Sequence, residues 1–132
     1  RLSVEDIHIT IGLSIFYLVI LRLIYKIFNP TPKLNPSIFK GQKFLAKLNH
    51  ILLYVTILSI TISGILKKLF NGETLTIIFQ KIKIKDNFEL GELFYEIHVI
   101  SNYLLIVLII MHILAVITHK LFFGDNLLKK IL

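Results

Sequence analysis

The sequence predicts an all-α membrane protein, and three observations predict it. Hydrophobic residues make up 55% of a chain of only 132 residues, with a mean hydropathy of +0.79. Soluble domains of this size bury only about 60–70% of their surface, so this much aliphatic side chain needs a second apolar solvent. The apolar residues are also gathered into three runs, 7–28, 44–66 and 95–122, each long enough for the roughly 20 helical residues that cross a hydrocarbon core. The basic residues, finally, lie mainly between those runs. We therefore expect a single membrane domain over 1–132 with three transmembrane helices.

The first span, "IHITIGLSIFYLVILRLIYKIF", follows Glu5 and Asp6 and carries Arg22 and Lys26 near its far end. The prolines of "NPTPKLNP" stop it by denying helical hydrogen bonds. From Lys26 to Lys47 there are five lysines and no acid, which places this segment on the cytoplasmic or matrix side. The second span then runs outward to about Gly64. The outer connector 67–94 mixes five lysines with four acids. Its "TLTIIFQKIKI" is too short to cross and either lies at the interface or forms a short strand pair. The third span returns inward and leaves a tail with Lys120, Lys129 and Lys130 on the inner side.

Several functions are excluded. Without cysteine there are no disulfides, thiolate zinc sites or iron–sulfur clusters. A net charge of +7 suggests nucleic acid, but the positive-inside rule already accounts for basic residues placed between spans. We expect no nucleic-acid partner; the expected partner is membrane lipid. The sequence has no Gly-rich phosphate loop, nucleophile elbow or paired carboxylates. The spans also lack the central Asp or Glu that a transporter or channel would lead one to expect.

What the spans do carry is histidine. His98, His112 and His119 lie at offsets of 0, 14 and 21 along the third span. Fourteen helical residues rise about 21 Å in nearly four turns, so these imidazoles share a face across the membrane. His8 opens the first span at the depth of His98. Two helices with histidines at matched depth can hold one iron from both sides, which suits haem b. Gly12, one turn below His8, removes a side chain where a macrocycle must lie close. His112 would hold a second haem with another histidine. His50 admits two readings, a ligand or an imidazole hydrogen-bonded to a neighbouring helix. Arg22, at the depth of the inner haem, either pairs with a propionate or snorkels to lipid phosphate. Lys67 and Lys68 draw an outer anion or simply mark the membrane boundary. Tyr54, one turn after His50, reads as core packing.

The stretches "IHITIGLSIFYLVILRLIYKIFNPTP", "NHILLYVTILSITISG" and "HKLFFGDNLL" resemble the second, third and fourth helices of bacterial cytochrome b-561, the di-haem superoxide oxidase family. The His8–Gly12 pattern, the His50–Tyr54–Gly64 spacing, the His98–His112 interval and the closing Asp125–Asn126–Leu127 carry that resemblance. It implies a four-helix haem-binding bundle of which three helices are visible, with one or two haem b groups. It also implies ubiquinone near the inner haem, with His119 at the quinone position, and superoxide as an outer electron donor. The family's first helix, which carries a ligand for the inner haem, has no counterpart here. His50 substitutes, another subunit or a missing N-terminal helix supplies the ligand, or only the outer haem remains. Since residue 1 is Arg and no signal-peptide pattern precedes the first span, the chain is either processed or a piece of a longer protein. The expected function is electron transfer between the outer surface and the quinone pool of the bacterial or mitochondrial inner membrane. The alternative is a membrane anchor or accessory subunit of a larger respiratory complex.

Overall fold

The computed structural model describes residues 2–30 and 40–123. The loop residues 31–39, the tail lysines Lys129 and Lys130, and Asp125–Asn126–Leu127 lie outside the described residues. Three helices dominate: α1 (Val4–Phe28), α2 (Lys40–Phe70) and α3 (Phe88–Phe123). All three are long and apolar enough to cross a membrane. At about 1.5 Å per residue, α2 and α3 measure roughly 46 and 54 Å, against a core of about 30 Å. Both therefore project beyond the hydrocarbon.

Local chemistry explains why the helices outrun the apolar runs. Ser3 caps α1 in a reciprocal box: its hydroxyl accepts from the Asp6 amide while the Asp6 carboxylate accepts from the Ser3 amide, both at 3.1 Å. Asn87 caps α3 by accepting from the amide of Leu90, so that helix starts well before its hydrophobic stretch. Gly72 ends α2. Its φ of +80° lets the amides of Gly72 and Glu73 return to the carbonyls of Leu69 and Lys68, closing a left-handed cap. Between α2 and α3 a two-stranded antiparallel hairpin, β1 (Leu75–Ile77) and β2 (Gln80–Ile82), fills the connector. The strand pair expected for that segment forms.

α2 and α3 pack antiparallel along most of their length, whereas α1 is held more loosely and buries no residue. The α2–α3 seam is unusually polar. Thr56 and Ser63 of α2 and Ser101 of α3 are all buried, and Ser59 and Ser101 hydroxyls meet at 3.1 Å. Small residues at such seams let helix backbones approach where lipid removes the hydrophobic drive for association. On α3, buried Gly91, Ser101 and Leu108 face the seam with Phe94, His98 and His112. Those positions repeat every three and four residues, the spacing of a helix–helix seam. The whole-heptad interval of the histidines is thus the period at which α3 meets α2. Gly91 lets the Asn71 side chain lie against the helix there, where a Cβ would force that side chain to shift.

Candidate functional site

The pair at the connector end of the bundle, termed outer after the expected topology as the opposite end is termed inner, comes from α1 and α3. The rings of His8 and His98 have centroids 6.1 Å apart, with planes at 79°. Two imidazoles binding one metal from opposite sides, with bonds of about 2 Å, put their centres roughly 6 Å apart. His8 is exposed and His98 half-buried, so this site is open on its α1 side. A Cβ built on Gly12 would meet nothing within 4 Å. That face of α1 is open space, as it is along a helix that buries no residue.

α2 sets the chemistry of His98. Its Nδ1 lies 2.8 Å from the carbonyl oxygen of Ile60. A carbonyl can only accept, so Nδ1 carries the hydrogen and Nε2 of the neutral ring keeps its lone pair. Metal-bound histidines are oriented in this way, by a carbonyl on the other nitrogen. The cradle is tight. The Ser63 hydroxyl, 2% exposed as a residue, donates to the same carbonyl at 3.0 Å and sits 3.4 Å from Nδ1. A Cβ on Gly64 would stand 3.2 Å from both Cε1 and Nδ1 of His98, so glycine lets the ring lie against the helix.

The inner pair comes from α2 and α3. His50 and His112 have centroids 5.3 Å apart, with planes at 48°. Asn49 meets His112 through a 3.1 Å contact between its amide group and Nδ1. With the amide nitrogen turned to the ring, Asn49 Oδ1 is buried without a partner. Turning the amide over lets that oxygen accept from Nδ1–H, and leaves His112 Nε2 as the lone-pair nitrogen. Asn49 is thus the amide counterpart of the Ile60 carbonyl.

Two cations from α1 flank this inner level. Arg22 Nε donates to the Tyr54 hydroxyl at 3.0 Å, and Lys26 Nζ lies 5.1 Å from the centre of the Tyr54 ring. Tyr54 is therefore a polar partner as well as a packing residue, and Arg22 engages protein rather than only snorkelling outward. His119 is half-buried on α3, about 10 Å beyond His112 toward the inner end. The antiparallel register sets it opposite the start of α2, well away from Tyr54.

At the outer boundary Lys68 pairs with Glu73 at 2.7 Å and with Glu5 at 3.5 Å, while Lys67 lies 5.5 Å from the Tyr95 ring centre. The charge of Lys68 is thus already answered by two carboxylates. Among the described residues no group of three or more His, Asp or Glu side chains gathers to hold a metal. A surface depression runs along one face of α3 between Asn87 and Glu96, apart from the histidine pairs. The sequence reading missed Asn49, Ser63 and the Ile60 carbonyl. Two of them were detectable, since Asn49 adjoins a histidine and Ser63–Gly64 form a small-residue step.

A family model for prokaryotic cytochrome b561 matches residues 2–132. The chain belongs to that family.

Proposed function

From membership of the prokaryotic cytochrome b561 family, whose members are membrane proteins that transfer electrons with haem b, we propose that this chain holds haem b at two levels. His8 and His98 would be the outer ligands, and His112 with His50 the inner ones. The observation that carries the reading is the His98 Nδ1–Ile60 carbonyl bond, which leaves Nε2 free on the ring that faces His8. Bound there, haem b supplies a reversible one-electron carrier.

The residues around it bind and orient. Ile60, Ser63 and Gly64 hold one imidazole in a single tautomer and position. Asn49 would do the same for His112 with its amide oxygen turned to Nδ1, the orientation that leaves Nε2 its lone pair. The inner rings start closer than a shared metal requires, so α2 and α3 side chains must part by under about 1 Å. Arg22 and Lys26 offer positive charge at the inner level, suited to a haem propionate. Because the Tyr54 oxygen accepts from Arg22, its own proton points elsewhere.

We further propose that electrons pass between the outer surface and ubiquinone, in the bacterial inner membrane. Superoxide as donor rests on the family resemblance, and His119 would exchange the proton that quinone reduction takes up, as a titratable imidazole at the interface can. A second reading, an accessory subunit within a larger assembly, is favoured by α1, which buries no residue and leaves His8 exposed. A reduced-minus-oxidised absorption spectrum of the purified protein, with haem per chain measured as pyridine haemochrome, separates them. Two haems per chain support the full reading; one leaves the outer pair alone; none after expression with ample haem removes it.

A further inference from the structure

The hairpin in the outer connector takes no part in the haem chemistry. Its two turn residues, Ile78 and Phe79, both have positive φ, at 47° and 64°. Such turns favour Asn-Gly or Asp-Gly, because left-handed backbone is unfavourable for bulky side chains and above all for β-branched ones. Here a β-branched and an aromatic residue occupy those positions. Neither is used for packing: Ile78 is 71% and Phe79 100% exposed.

The rest of the hairpin is two-faced. Leu75 is buried and its cross-strand partner Ile82 half-buried, while the paired Thr76 and Lys81 are exposed. Lys83 and Lys85 follow, also exposed, and between residues 74 and 85 there are three lysines and no acid. An exposed apolar tip beside a basic row is the composition of segments that lie in a lipid headgroup layer.

Its position agrees. The root of the hairpin is tied to the end of the apolar helix α2 by the Lys68–Glu73 pair, and the returning chain by the Asn87 amide to the Phe70 carbonyl at 2.8 Å. Strands rise about 3.3 Å per residue, so the tip lies within roughly 10 Å of Leu75. The headgroup layer is about 5–8 Å deep on each side of the core.

We propose that the β1–β2 hairpin is an interfacial lipid anchor. Ile78 and Phe79 seat in the outer headgroup layer, and Lys81, Lys83 and Lys85 bind the phosphates of anionic lipids there. Lipid is chosen over a protein partner because the bilayer already adjoins the hairpin's root, and because the lysine row complements lipid phosphate.

The absence of cysteine makes the test direct. F79C in the full chain, spin-labelled and reconstituted into vesicles of phosphatidylcholine and phosphatidylglycerol, is compared with labelled E92C on the exposed start of α3. Paramagnetic relaxation by oxygen, which partitions into lipid, is set against relaxation by a water-soluble nickel chelate. The anchor predicts that position 79 is at least threefold less accessible to the chelate than position 92. It also predicts that K81A/K83A/K85A removes most of that protection in anionic vesicles. Equal accessibility at both positions overturns the proposal. So does spin–spin broadening at position 79 that vanishes on dilution with lipid, which would assign the tip to a second copy of this chain. Protection that survives the lysine substitutions overturns the phosphate contact.

Discussion

The outer and inner histidine pairs are built from the same parts with one exchange. Each has a ring on α3 whose Nδ1 meets a polar group of α2, and each faces a second imidazole at a distance near that of a shared metal. At the outer level the polar group is the backbone carbonyl of Ile60, which only accepts. At the inner level it is the side-chain amide of Asn49, which accepts or donates depending on which way it turns. A carbonyl fixes which ring nitrogen keeps its lone pair. The amide fixes it only when one of its two faces is chosen, and the orientation that leaves His112 as a donor of Nε2–H also leaves Asn49 Oδ1 buried without a partner. The outer site is thus decided by main chain and the inner one by a side chain that substitution can reach.

The largest test of this comparison removes a ligand from each level. His98→Ala should abolish the outer haem and His112→Ala the inner one, each cutting pyridine-haemochrome haem by about half. His50→Ala is the sharper variant. If the inner pair is His50–His112, its haem falls as in His112→Ala. If the content is unchanged, the inner ligand comes from another element, and the 5.3 Å approach of the two rings is packing only.

The polar groups come next in size. Asn49→Leu should weaken inner haem binding by about 10–100-fold, the usual loss when the partner of a ligand histidine is removed. Asn49→Asp, which can only accept when ionised, should keep the haem and lower the inner midpoint potential in a redox titration. An unmoved potential would place Asn49 outside the ligand's control. Ser63→Ala should do less than Asn49→Leu, because the Ile60 carbonyl remains.

The glycines separate room from contact. Gly12→Ala adds a methyl group that touches nothing within 4 Å, so without haem the helix should gain up to about 1 kcal/mol in stability. If the macrocycle lies there, the same variant loses outer haem by a few-fold. Gly64→Ala instead presses on His98 at 3.2 Å and should shift the outer potential without gaining stability. Equal behaviour of the two variants would argue against a haem beside Gly12.

Much of this was legible in the sequence, and the reason is physical. Apolar runs must match the bilayer, so the three spans could be read from length and hydropathy alone. His98 and His112 were found because imidazoles are rare among hydrocarbon side chains. Their heptad interval, however, reads on a straight helix only as a shared face; the structure identifies that face as the α2–α3 seam. Helix starts were legible less well, since Ser3 and Asn87 set them by capping while hydropathy marks only the apolar stretch. Pairing was the hardest part. Nothing in the composition of α2 says that Ile60 contributes its backbone, and a carbonyl leaves no trace in side-chain identity. The polar contacts of Tyr54 were not legible because its partners Arg22 and Lys26 belong to another helix.

The smallest expected effect concerns the outer boundary, where the two levels also differ. The cations at the inner level, Arg22 and Lys26, surround a phenol, whereas Lys68 outside is held by Glu5 and Glu73. Ion pairs this exposed contribute little, so Glu5→Gln with Glu73→Gln should lower stability by no more than about 1 kcal/mol. The rate is more informative. On the proposed reading of superoxide as donor to an outer haem, freeing the Lys68 charge should speed that reduction, because an unpaired cation draws an anion from solution, and the gain should fade as salt is added. A rate that stays constant at low salt would mean that attraction of the anion is not what limits electron entry. Lys68 would then serve only to tie α1 to the end of α2, and the approach of the donor would depend on the exposed edge at His8.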